Sequence, residues 1–102
     1  MSSYEVILSE DAEADLQEYI DYILFDCQAP LTALRHYEAF FNVLYSLRHK
    51  PESRIIQIGK FFLRYGTNVR RFNYKKMTII YTVHGAVVYI HRILASKLIT
   101  DI

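Results

Sequence analysis

The side chains best equipped for chemistry in this sequence are cationic and crowded toward its second half. They are Arg64, then Arg70 and Arg71 in VRRF, Lys75 and Lys76 in NYKKM, Arg92 in YIHRIL, and Lys97. Guanidinium forks and ammonium groups bind phosphates and carboxylates. Together with Lys60 they could line a basic concavity that neutralises phosphates, or they could be a solvated edge, since lysines commonly guard edge strands. His91 stands beside Arg92. An imidazole with an unperturbed pKa of about 6.5 suits general acid or base work, and a lone histidine in a strand is equally readable as structural. Arg92 likewise has two readings, as a ligand for an anion or as an internal ion pair with an acid of the first helix. Tyr65, Tyr74, Tyr81 and Tyr89 could stack bases or simply pack in strands with their hydroxyls at the rim.

Other chemistries lack their residues. No P-loop, GxSxG, HExxH, paired-cysteine or EF-hand spacing occurs, and His36, His49, His84 and His91 have no metal-ligand spacing. The expectation is therefore no metal and no cofactor. Asp11, Asp15 and Glu18 share one helical face and read as a solvated stripe. The single cysteine, Cys27, cannot form an internal disulfide and reads as a small residue packed at a helix end.

The elements that must position the cations follow from periodicity. Tyr4–Leu8 reads as a short strand. Ser9 then serves as an N-cap, with Glu10, Asp11 and Glu13 in the first turn, where the helix dipole favours acids. Ala12, Leu16, Tyr19, Ile20, Ile23 and Leu24 form the apolar stripe of a helix running to about Asp26. Pro30 suits the first turn of a second helix, whose stripe is Leu34, Tyr37, Phe41, Leu44 and Leu47 with Phe40 beside it, ending before Pro51. Residues 52–68 fit neither period cleanly and read as a connector with one short strand. Val69–Phe72, Met77–Val83 and Ala86–Leu94 are strands joined by tight turns near Asn73–Lys76 and His84–Gly85. The predicted fold class is α+β, in the order β-α-α-β-β-β, with an antiparallel helical hairpin packed on a small twisted, mainly antiparallel sheet. In the last strand, simple alternation puts Val87, Tyr89, His91 and Ile93 on one face and Val88, Ile90, Arg92 and Leu94 on the other. It leaves open which of them the helices cover.

The chain has 102 residues, 52 % of them apolar and 23 % charged, which suits one globular domain over residues 1–102. No apolar run reaches membrane-spanning length and no secretory leader is evident, so the expected location is cytoplasmic with no membrane partner. Charge is sharply divided. Residues 1–30 carry eight acids and no Lys or Arg, while residues 31–102 carry twelve basic residues and three acids, giving formal charges of −8 and +9. That asymmetry implies a surface built for a charged partner.

The order of elements, with YEVILSEDAEADLQEYIDYI, LRHKP and VRRFNYKKMTIIYTVHGAVVYIHRIL, resembles the RelE/ParE family of toxins from bacterial type II toxin–antitoxin modules. The resemblance spans nearly the whole chain. It implies a helical hairpin on a curved antiparallel sheet and a cognate antitoxin that wraps the toxin. RelE-like members cleave messenger RNA on the ribosome with basic side chains and often a late tyrosine or histidine; ParE-like members block DNA gyrase. Thr78 stands where RelE-like toxins tend to carry an arginine, and no tyrosine or histidine follows Lys97. Both departures, with the long hairpin and near-neutral total charge, resemble the ParE branch. The expectation is a non-enzymatic toxin that binds gyrase through Arg64, Arg70, Arg71, Lys75, Lys76, Arg92 and Lys97. The alternative is a ribosome-dependent endoribonuclease in which Arg71, Arg92 and Lys97 clamp the scissile phosphate and His91 moves a proton. A third reading is an inactive member that retains antitoxin binding.

Overall fold

A computed structural model of the protein describes residues 3–99. Strand β1 (Glu5–Leu8) leads into helix α1 (Glu10–Asp21), which continues as one π-helical turn over Tyr22–Asp26. Helix α2 (Pro30–Ser46), a 3-10 turn at Pro51–Ser53 and a single-turn helix α3 (Lys60–Leu63) follow. Strands β2 (Arg70–Tyr74), β3 (Met77–His84) and β4 (Val87–Ala95) complete the sheet, and a 3-10 turn at Ser96–Leu98 ends the described chain. The strand order is β1-β4-β3-β2, with β1 parallel to β4 and the other pairs antiparallel. This is the expected architecture. Among the described residues no helix is long and apolar enough to cross a membrane.

Ser9 joins α1 to the sheet. Its hydroxyl accepts from the Ala12 N–H at 2.9 Å and donates to the His91 carbonyl at 2.8 Å, while its own N–H donates to the Ile90 carbonyl. The cap that starts the helix thus fixes where the helix stands over β4.

The helical hairpin covers one face of the sheet. Ala12 and Leu16 of α1 and Phe40 and Leu44 of α2 pack with Leu47 against Ile79, Tyr81, Val88, Ile90 and Ile93. Burying each of these large side chains contributes about 2–3 kcal/mol. The buried stripe of α2 is Ala33, Phe40 and Leu44, one position away from much of the predicted one; Leu34, Tyr37 and Phe41 are exposed. Both series recur at helical spacing, so periodicity alone could not choose between them. Cys27 also differs from expectation. It is exposed at the end of the π-helical turn, where its N–H donates to the Tyr22 carbonyl.

The opposite face carries a second, smaller core of Phe62, Val69 and Ile80, with Phe61, Tyr65, Leu94 and Ile99 against it. The connector before β2 supplies Phe62 through α3, so the sheet is covered on both sides.

Strand β4 does not keep strict alternation. Ile80 pairs with Arg92 and Tyr81 with Ile90, which leaves His91 as the extra residue of a β-bulge. Beyond the bulge the phase is reversed: Val88, Ile90 and Ile93 all face the hairpin core, where regular alternation would put Ile93 with Tyr89.

Candidate functional site

The bulge decides what happens to the chemistry of β4. The sheet edge beyond β1 is bare at Ile93, and Asp15 of α1 fills it. Its Oδ2 accepts from the Ile93 N–H at 2.9 Å and from Arg92 Nε at 2.7 Å, while Oδ1 accepts from Arg92 Nη2 at 2.8 Å. Of the two readings of Arg92, the ion pair with the first helix is the one formed. That bidentate pairing, only partly opposed by burial, pushes the Arg92 pKa above its ordinary value. Asp15 therefore leaves the solvated stripe predicted for it.

His91 is half-buried on the outer face. Its Nε2 lies 2.8 Å from Thr82 Oγ1, and its ring packs against Tyr65 and, edge-on, Tyr89. Burial, then the neighbouring His84, pushes its pKa below 6.5 and favours the neutral ring. His84 Nε2 is 2.7 Å from the same Thr82 oxygen. A hydroxyl has one proton, so it can donate to only one of the two rings; the other must donate to it. This His84–Thr82–His91 triplet escaped sequence reading because a histidine beside the β3–β4 turn and one at the bulge of β4 meet only once the register is known.

The arginines of β2 are also occupied. Arg70 turns its Nη1 onto the backbone carbonyls of Glu52 and Arg54. Arg71 donates from Nε to Asn73 Oδ1 and from Nη2 to Thr78 Oγ1, both at 3.1 Å, and lies over the Phe62 ring. Thr78 is fully buried, donating to Asn73 Oδ1 at 2.9 Å and meeting Ser96 Oγ at 2.7 Å. The position that resemblance associates with a free arginine is here the hub of a buried polar network.

The lysines are different. Lys75 and Lys76 in the β2–β3 turn and Lys97 after β4 line one cleft of about 830 Å³ with Tyr19, Tyr22, Met77, Ala95 and Ser96. All three lysines are exposed, and the only salt bridge among the described residues is Arg92–Asp15. Burial raises the pKa of Tyr19, and hydrogen bonding with Cys27 raises that of Tyr22. Both phenols are thus held protonated. Arg64, exposed at the end of α3, stacks on Phe61 at 4.5 Å and lines no part of this cleft. The cations read from sequence as one concavity therefore separate. Arg70, Arg71 and Arg92 are engaged within the fold and Arg64 is exposed on α3. Lys75, Lys76 and Lys97 stand at an open cleft with no carboxylate partner among the described residues, Lys75 with its ammonium 5.7 Å over the Tyr74 ring. Among the described residues no cluster of three metal-ligating side chains occurs.

The family profile for the ParE toxin of the type II toxin–antitoxin system parDE matches residues 6–97. Among solved structures, one of the chromosomal ParDE TA system from P. aeruginosa superposes with a TM-score of 0.71 at 18 % identity, covering 91 % of this chain and 96 % of that one. No curated protein matches. The profile spans both sheet edges, the hairpin and all three cleft lysines, and on that match the chain belongs to the ParE toxin family of type II toxin–antitoxin systems.

Proposed function

We propose that this toxin arrests growth by binding a protein target in the cytoplasm, DNA gyrase, through the lysine cleft rather than by cutting messenger RNA. As a type II toxin it has a cognate antitoxin as its counterpart. The observation that carries the reading is the separation of the lysine cleft from His91, which does not line it. Arg92, which a phosphate clamp would need beside His91, is consumed by Asp15. The free cations, Lys75, Lys76 and Lys97, share their cleft with the hydroxyls of Tyr19, Tyr22 and Ser96, and the nearest imidazole, His36, lies behind Tyr19 with its Nδ1 tied to that phenol at 3.0 Å. A cleavage site needs a competent base within reach of its phosphate clamp, whereas a blocker needs only a complementary surface. Arg64 and Arg71, on the α3 side of the sheet, would act as outlying contacts, and Arg70 as a support for the loop.

The test is expression of the chain alone in bacteria, following growth, supercoiling of a reporter plasmid and the integrity of translated messages. Relaxed or broken plasmid with intact messages is expected, and joint reversal of Lys75, Lys76 and Lys97 to glutamate should relieve it while His91→Gln does not. Messages cut on the ribosome, with relief by His91→Gln, would overturn the reading in favour of an endoribonuclease. A folded chain that causes no arrest would place it among inactive members.

A further inference from the structure

We propose that the extended segment Arg54–Ile58 is a docking edge, onto which a partner polypeptide adds an acidic extended segment as a further strand beyond β2. The proposal does not rest on the gyrase reading. Ile55 and Ile58 are 81 % and 87 % exposed, the two most exposed large apolar side chains among the described residues. Leu63 of the adjoining α3 is 61 % exposed. Three apolar side chains so open within nine residues are a concentration of the kind that contact surfaces present, unlike singly scattered exposed residues.

The backbone there is already half a strand. Ile56 forms an antiparallel bridge with Arg70, and the Gln57 N–H donates to the Val69 carbonyl at 2.7 Å. Because successive peptide groups of an extended chain point to opposite sides, the N–H groups of Ile56 and Ile58 face away from β2. Neither donates to another backbone group among the described residues. The segment is held from behind: Arg70 is bonded to the Glu52 and Arg54 carbonyls, and the Tyr81 hydroxyl donates to the Pro51 carbonyl at 2.6 Å. An edge fixed in place with outward donors is what strand addition requires.

Charge selects the occupant. Arg54, whose guanidinium lies 4.0 Å over Phe72, and Lys60 and Arg64 flank the isoleucines in sequence, and none has a carboxylate partner among the described residues. The nearest acid in sequence, Glu52, accepts a hydrogen bond from the Tyr4 hydroxyl at 2.9 Å. A second copy of this chain would bring cation against cation. An extended segment alternating apolar and acidic residues would satisfy backbone, isoleucines and cations together.

The probe is a short synthetic peptide alternating valine and glutamate, titrated into the intact protein while amide hydrogen exchange is followed. Slowed exchange at Ile56 and Ile58 is expected. Replacing glutamate by lysine, or N-methylating the peptide's alternate amides, should abolish it, and joint Arg54→Glu and Lys60→Glu substitution should weaken binding about tenfold. Unchanged exchange at saturating peptide, or equal binding of the N-methylated peptide, overturns the proposal without altering the protein. Protection that grows with protein concentration and needs no peptide also overturns it, by assigning the edge to a second copy.

Discussion

The two edges of the sheet are finished by opposite means. Beyond β1, α1 seals the sheet with a charged plug, one carboxylate taking a backbone N–H and both arms of a guanidinium. Beyond β2 the seal is a stretch of chain that pairs with the strand once and leaves its other side unpaired. An acid reaching β4 from a helix ends the ladder at that point, because it satisfies the Ile93 N–H and adds no donor of its own. A strand-like loop moves the edge outward by one step and reproduces it there. The first solution anchors the acidic half of the chain to its basic half; the second leaves basic, apolar backbone available.

That contrast can be broken from either side. The largest effect is expected for Asp15→Ala, which strands a half-buried guanidinium and the Ile93 N–H: a loss of about 3 kcal/mol in chemical denaturation. Arg70→Met should cost about 1–2 kcal/mol by freeing two carbonyls, and should speed hydrogen exchange at Gln57 while sparing Ile93. Tyr81→Phe acts on the same loop through the single bond to Pro51 and should cost about 1 kcal/mol. Burial pushes the Tyr81 phenol up to about 12, so this bond is expected to be insensitive to pH through the neutral range. The smallest effect concerns His91. Its folded pKa lies below 6.5, so the unfolded chain binds the proton first. Its contribution to stability is full above 6.5 and is lost as pH falls from there through the folded pKa. His91→Gln should flatten that part of the stability curve, read as melting temperature against pH; an unchanged slope would mean that the ring titrates alike in both states.

The elements were legible wherever one period ran unbroken. Ser9 and the acids after it placed α1, Pro30 placed α2, and the turns near Asn73–Lys76 and His84–Gly85 placed the hairpins, so the order of elements followed from local signals. What was not legible depended on contacts between distant residues. One extra residue at His91 exchanges the faces of everything after it, and no composition signal marks a bulge there. The double apolar series of α2 hid which stripe was core. Arg70, Arg71 and Arg92 had the right chemistry for a site, yet their partners are backbone carbonyls, Asn73 with Thr78, and Asp15, which lie up to 77 positions away in sequence. Lys75, Lys76 and Lys97 were read as part of one larger basic concavity; that these three share a cleft without the arginines was not legible, since the cleft is formed by three separate stretches of chain.

The parallel pairing of β1 with β4 also sets an order of events during synthesis. Val6 and Leu8 rest beside Val88 and Ile90, so the first strand to leave the ribosome has no partner until nearly the last residues of the sheet have been made. A nascent chain that has reached Gly85 can hold the helical hairpin and the β2–β3 pair, but not the closed sheet, and not the Asp15–Arg92 clamp that locks it. The lysine cleft, which needs Ala95, Ser96 and Lys97 beside Lys75 and Lys76, is completed later still. Translation thus carries its own delay before the closed sheet and its cleft exist, an interval in which an antitoxin already present can meet the unfinished chain.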